Sequence, residues 1–287
     1  MAISASGAVS FADINTEFGR SSTASISFTD TRTHYMSAGN ASGQADFAGF
    51  RGKTASLNIT IASNQTGYNV AASAASSTYN PNYQSLAVVV NSGVTVYGLG
   101  GDANGGPGGS GLYFFSTQLG ATSFPYGVTL TNNGTIGGGG GNGGTGGYNF
   151  NDGYPGNNGG DGIRVQGTGM AVTIYNNGTI NGGGGGGGGG LGTSSPASGG
   201  GGGAPNGGGG YSYAGVPGYG QAATATTGGN GGSSGNAGGR GGNLAAAGSK
   251  GSGGNFNDGG GAGYASRILS GGSITYATAG TRNGTVG

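Results

Sequence analysis

The sequence predicts a mostly β and irregular chain: a short N-terminal segment, a small β-rich unit, then a glycine-rich domain of packed polyglycine-II-like helices with β-hairpins. Three observations carry that expectation. Glycine content jumps near residue 98, since 71 of the 80 glycines follow it. Apolar alternation of period two precedes the jump, and an internal repeat follows it. The expected boundaries are 1–54, 55–98 and 99–287.

The first expected element is a short helix. Phe11, Ile14 and Phe18 stand at i, i+3 and i+7, with Ser10 placed to cap its start and Gly19 to end it. A helix this short is marginal alone in water, so its apolar face needs a partner. Ser25-Ile26-Ser27-Phe28 then alternates, and Phe47 and Phe50 lead into Gly52-Lys53-Thr54. Leu57, Ile59 and Ile61 alternate with small polar residues, which predicts a half-buried strand. Leu86–Val90 and Val94–Tyr97 read as a strand pair, with Asn91-Ser92-Gly93 as the hairpin turn.

Beyond residue 98, VTLTNNGTIG at 128–137 returns as VTIYNNGTIN at 172–181, and a degenerate copy, ITYATAGTRNGTVG, closes the chain at 274–287. Each of the first two copies reads as a strand, an Asn-Gly hairpin turn and a short return. Repeats at such spacing imply units stacked face to face. Between them lie glycine runs, nine consecutive at 182–190. In isolation such runs are flexible linkers. Packed three-residue-per-turn helices are the alternative, because only glycine permits their close approach. No strict Gly-X-Y register persists, which excludes collagen. Aromatic clusters punctuate the runs: Tyr113, Phe114 and Phe115; Tyr148, Phe150 and Tyr154; Tyr211, Tyr213 and Tyr219; Phe256 and Tyr264. Linkers have no use for so many rings, which favours an ordered layer carrying aromatic loops.

Composition excludes several classes. Charged residues make up 6% of the chain and the net charge is +1, so there is no electrostatic footprint for nucleic acid. Cysteine is absent, which removes disulfides and thiolate metal sites. No apolar run reaches membrane-span length, and MAISASGAVSF has neither the basic nor the long apolar region of a secretory signal. Gly49-Phe50-Arg51-Gly52-Lys53-Thr54 ends like a phosphate loop, but Phe47 occupies the position of its first glycine. Asp161 in GGDGI resembles part of a calcium-binding nonapeptide that is not repeated in tandem, so no metal is expected. The single histidine, His34, reads as a polar surface or interface residue, and the carboxylates are scattered. The reading is therefore not an enzyme, with no catalytic residue and no cofactor. Aliphatic residues also look too few for a large β-helix of the kind that carries polysaccharide-degrading activity.

Two stretches resemble known proteins. Residues 9–54, VSFADINTEFGRSSTASISFTDTRTHYMSAGNASGQADFAGFRGKT, are similar to an N-terminal module of many tailed-phage tail and fibre proteins, with a SFxDINxELGRSxTAxISL pattern and an FRGK-like close. Phe18 stands here where leucine is usual. The end, GGGAGYASRILSGGSITYATAGTRNGTVG, resembles the ends of glycine-rich tail-tip and host-specificity proteins, with Tyr276 where many have tryptophan. The glycine-rich middle looks like the polyglycine-II adhesins at long tail-fibre tips by composition.

The resemblance implies a virion protein of the tail or its fibres, assembled in the host cytoplasm and released by lysis. Residues 1–54 would attach to other tail or virion proteins through Phe11, Ile14 and Phe18. The distal domain would bind a bacterial outer-membrane protein or surface glycan through loops bearing Tyr148, Phe150, Tyr154, Tyr211, Tyr213 and Tyr219. The alternative is a purely structural baseplate, collar or capsid-surface fibre without receptor binding. The expected assembly is a homo-oligomer (trimer) or a monomer on a trimeric fibre.

Overall fold

The structure, a computed structural model, describes residues 3–27, 30–38, 47–77, 79–101, 106–116, 124–193, 195–213, 218–233, 235–253 and 257–287. Phe28 and Phe256 lie outside the described residues, and Ser25–Ser27 form no strand.

The N-terminal helix forms as its sequence dictates. Helix α1, Phe11–Glu17, starts at Ser10, whose hydroxyl accepts from the Asp13 N–H while the Asp13 carboxylate accepts from the Ser10 N–H. This reciprocal pair satisfies two donors that a helix start leaves open. A second helix, α2 (Thr31–Ala38), and a 3-10 turn at Ala48–Phe50 complete the unit. Ile3, Ile14, Met36, Phe50, Ala55 and Tyr83 form its buried core.

Fourteen strands follow among the described residues. In chain order they are β1 (Ser56–Ile61), β2 (Gln65–Thr66), β3 (Tyr68–Asn69), β4 (Ser85–Val90), β5 (Thr95–Tyr97), β6 (Leu112–Phe115) and β7 (Val128–Asn132). Then come β8 (Thr135–Gly137), β9 (Ile163–Gln166), β10 (Ala171–Asn176), β11 (Thr179–Asn181), β12 (Ser266–Leu269), β13 (Ser273–Thr278) and β14 (Thr281–Asn283). A helix, α3 (Val70–Ser76), interrupts the first coil after β3 and packs on β6 and β1.

Three sheets collect these strands in the orders β1-β4-β7-β10-β13, β2-β5-β8-β11-β14 and β3-β6-β9-β12. Every pairing is parallel, and each of the first four turns of chain contributes one strand to each sheet, the last turn one to each of the first two. The architecture is a three-sided parallel β-solenoid, each coil lying on the one before. Its core is a set of columns. Ile59, Val88, Leu130, Ile174 and Tyr276 are successive register partners in the first sheet. Val96, Ile136 and Ile180 form the column of the second. Leu112 and Ile163 anchor that of the third. All of these except Tyr276 are buried.

This fold overturns the expectation of polyglycine-II-like helices carrying β-hairpins. The strands on either side of Asn91-Ser92-Gly93, Asn133-Gly134 and Asn177-Gly178 belong to different sheets, so these turns are solenoid corners. The 44-residue repeat is a coil stacked on its neighbour, with Val128 opposite Val172 and Asn132 opposite Asn176. The expectation that aliphatic residues are too few for a coiled β architecture also fails. One inward side chain from each coil suffices for a column, so the aliphatic demand per residue is small when long segments leave the coils.

Those segments leave at one corner. The chain departs after β5, β8 and β11 and returns at β6, β9 and β12, giving excursions at 98–111, 138–162 and 182–265. Apart from isolated turns, the described parts of these excursions carry no helix and no strand. Their backbone groups bond from one segment to another, and along 182–192 every third N–H meets the same neighbour. Gly183, Gly186, Gly189 and Gly192 donate to Gly160, Asn157, Tyr154 and Asn151, while Gly184, Gly187 and Gly190 donate to Ala204, Gly201 and Ser198. The donors buried here thus have partners without a conventional ladder. At Gly186 a Cβ would overlap the Asn142 carbonyl oxygen, so the layer demands glycine there.

The two ends of the stack differ, the N-terminal unit covering the first coils and the last coil lying largely exposed. The N-terminal unit sits against the first coils, where the Arg32 Nε–H donates to the Tyr83 carbonyl at 2.9 Å and Glu17 Oε1 accepts from the Ala55 N–H at 2.9 Å. In the last coil the Arg282 guanidinium lies 4.3 Å from the Tyr276 ring centre, placing a polar pair where earlier coils present aliphatics.

Candidate functional site

Two of the glycine excursions bring the sequence-predicted aromatics together. Tyr148 stacks on Tyr213, with ring centres 5.1 Å apart and planes 10° from parallel, and Tyr211 meets Tyr219 edge-on at 5.7 Å. Phe150 is 77% exposed and Tyr154 67%. Tyr211, Tyr213 and Tyr219 are also exposed. The six residues expected at the surface are therefore at the surface or half-buried, and two pairs of them touch.

The loop bearing Tyr148 is held rigidly for a surface turn. Its Asn151 amide nitrogen donates to the Tyr148 carbonyl at 2.8 Å, and its Tyr154 N–H donates to the Thr145 carbonyl at 2.8 Å. From outside the loop, the Gly192 N–H reaches the Asn151 carbonyl at 2.9 Å. Asn149 and Phe150 both adopt positive φ, 52° and 60°. For a bulky phenylalanine this conformation is costly, and such strain clusters at functional sites. Here it turns the Phe150 ring into solvent. Gly146, Gly147, Tyr148, Asn149, Asn151, Asp152, Tyr154 and Tyr213 enclose a cavity of about 340 Å³. Sequence reasoning found the rings but missed the cavity and its polar wall, Asn149, Asn151 and Asp152. The only sequence signal for that wall was the break in glycine at 148–155.

The N-terminal candidates divide differently. Ile14 is fully buried in the core of its own unit. Phe18 is half-buried, with the guanidinium groups of Arg20 and Arg32 at 5.3 and 4.5 Å from its ring centre. Both residues pack within the unit. Phe11 is 47% exposed and meets the exposed Phe47 edge-on at 5.0 Å. It also borders an open groove floored by residues 22–26.

Other sequence motifs resolve as structure. Asp161 is buried and accepts from Arg164 Nε and Nη2 at 3.1 and 2.9 Å, pinning the point where an excursion rejoins the solenoid at β9. No group of three or more metal-ligating side chains occurs among the described residues. No helix among them is long and apolar enough to cross a membrane.

A rigid solenoid that throws glycine-rich excursions to one side and presents clamped aromatic loops on them defines a surface-display protein. The sequence supports the same conclusion by kinship: residues 56–287 match the family described as phage tail fibre adhesin Gp38, and the chain belongs to that family. It is a tail-fibre protein that binds the host surface. A chain in the crystal structure of the gp37-gp38 adhesin tip complex of the bacteriophage S16 long tail fiber is similar to it, with 26% identity and a TM-score of 0.61. The match covers 83% of this chain and 85% of that one. No curated protein sequence matches it.

Proposed function

We propose that the adhesin contacts its host through the loops at 145–154 and 211–219, and joins its fibre through the N-terminal unit. The observation that carries the first part is the clamped turn bearing Phe150 and Tyr154, where strain and hydrogen bonds hold large rings outward. Rings ordered before contact lose little entropy on binding, which is the usual gain from preorganisation. A display surface set on excursions also tolerates loop replacement, since the solenoid columns do not include it.

The second part rests on Phe11 and Phe47, an exposed aromatic pair on the unit that lies outside the family match. The similar chain of bacteriophage S16 is found in complex with gp37, and a corresponding fibre protein is the partner proposed here. Hydrogen exchange on the full chain, free and bound to outer-membrane vesicles from the host, tests the first part. Slowed exchange at 145–154 and 211–219 is expected. Slowing confined to the outer faces of the solenoid strands would refute the loop assignment.

A further inference from the structure

We propose that the cavity lined by Tyr148, Tyr213 and the 146–154 loop takes one neutral pyranose ring of a surface glycan. This inference rests on the loops around it being the host-contacting surface. The cavity of about 340 Å³ is at the small end of ligand sites, suited to a single ring more than to a peptide segment. Its walls combine two kinds of group. Tyr148 and Tyr213, whose facing sides are taken up by their mutual stacking, line the cavity with their remaining aromatic carbon, which suits the C–H face of a sugar. Asn149, Asn151 and Asp152 make its wall polar, and the Asn151 amide, whose nitrogen bonds the Tyr148 carbonyl, keeps its oxygen as an acceptor for a hydroxyl. No lysine or arginine lines the cavity among the described residues. That wall disfavours phosphate, uronate or sialate groups, and its polarity disfavours a lipid chain.

Preorganisation makes a small ligand sufficient. The Asn151 and Tyr154 backbone bonds fix the turn before any ligand arrives, so little binding energy goes into ordering it. A protein receptor would spread over the wider field of Phe150, Tyr154, Tyr211 and Tyr219, which lies mostly outside the cavity.

The test is saturation-transfer NMR on the full chain with methyl α-glucopyranoside, methyl β-galactopyranoside and N-acetylglucosamine, beside glucuronate and glucose 6-phosphate. At least one neutral sugar should receive saturation, and the two anions should not. Tyr213→Ala should weaken that binding by roughly tenfold or more, Tyr213→Phe should retain it, and Tyr175→Ala, on the solenoid strand β10, should leave it unchanged. Transfer to no neutral sugar, or transfer unaltered in Tyr213→Ala, overturns the inference. A parallel adsorption assay separates this failure from failure of the host-contact reading. If Tyr213→Ala impairs adsorption while no sugar binds, the loops contact host protein and the glycan inference falls alone. If a sugar binds in the cavity but adsorption is indifferent to Tyr213→Ala, the host-contact reading falls, and the glycan's role as receptor falls with it.

Discussion

Asn132 donates its side-chain amide to Oδ1 of Asn176 at 2.8 Å, although 44 residues of chain separate them. Both are buried at the corner after the first sheet, directly below the aliphatic column that includes Val90. Asn176 passes the pattern on by donating to the Ala279 carbonyl at 2.9 Å, so a ladder of amides spans three coils. Asn176→Ala leaves the Asn132 donor without this acceptor and the Ala279 carbonyl without its donor. A loss of about 1–3 kcal/mol is expected, read as a lowered denaturation midpoint. Asn177→Ala breaks only the exposed 3.0 Å bond to Asn133 and should change stability by no more than about 0.5 kcal/mol.

The glycine layer predicts a sharp positional contrast. Gly186→Ala places a methyl group against the Asn142 carbonyl in a region with no space to give, whereas Gly106→Ala meets nothing within 4 Å. The first should cost about 1–3 kcal/mol or prevent folding, and the second should be close to neutral. Thermal melts of the two variants decide the matter, and equal melting temperatures would contradict the packing described.

Arg32 ties the N-terminal unit to the solenoid. Besides its bond to Tyr83 it donates to the Ala55 carbonyl at 3.3 Å, and its guanidinium lies 4.5 Å from the Phe18 ring centre and 4.2 Å from that of Tyr126. Lysine reproduces neither the fork nor the stacking. Arg32→Ala and Arg32→Lys should both destabilise the junction, by about 1.5–3 kcal/mol for the alanine variant. Limited proteolysis should then cut near residue 55 faster than in the parent chain.

Stability should fall in alkali over a defined window. Burial pushes the Tyr79 hydroxyl up to about 12, and burial also raises Tyr83 and Tyr97. A raised phenol favours the protonated form in the folded state. Its stabilising contribution is therefore complete below the ordinary value near 10 and is lost as pH climbs towards about 12. Tyr79→Phe should flatten part of that decline in a series of denaturant titrations from pH 9 to 12.

Some of this architecture is legible in the sequence and some is not, for identifiable reasons. The Ser10 cap, the α1 helix and the Leu57–Ile61 alternation are local signals, and they form as read. The repeat at 128–137 and 172–181 marks the coil, but Asn-Gly serves a hairpin and a solenoid corner equally well. Only the partner strand distinguishes them, and that partner lies a full coil away in sequence. Helix α3 is too short for its Ala-rich segment to show a period. The aromatic loops were visible as interruptions in glycine. The cavity beside them depends on Tyr148 meeting Tyr213 across 65 positions, a contact created by packing of separate excursions.

The most direct test of the account is adsorption of phage to host cells in competition with the purified full chain. Three proteins are compared: the parent, a Phe150→Ala/Tyr154→Ala variant of the clamped loop, and Tyr175→Ala, which removes an exposed ring from the solenoid strand β10. If the loops read the host surface, the parent and Tyr175→Ala proteins block adsorption equally and the loop variant blocks it poorly. A folded loop variant that competes as well as the parent would contradict the central claim.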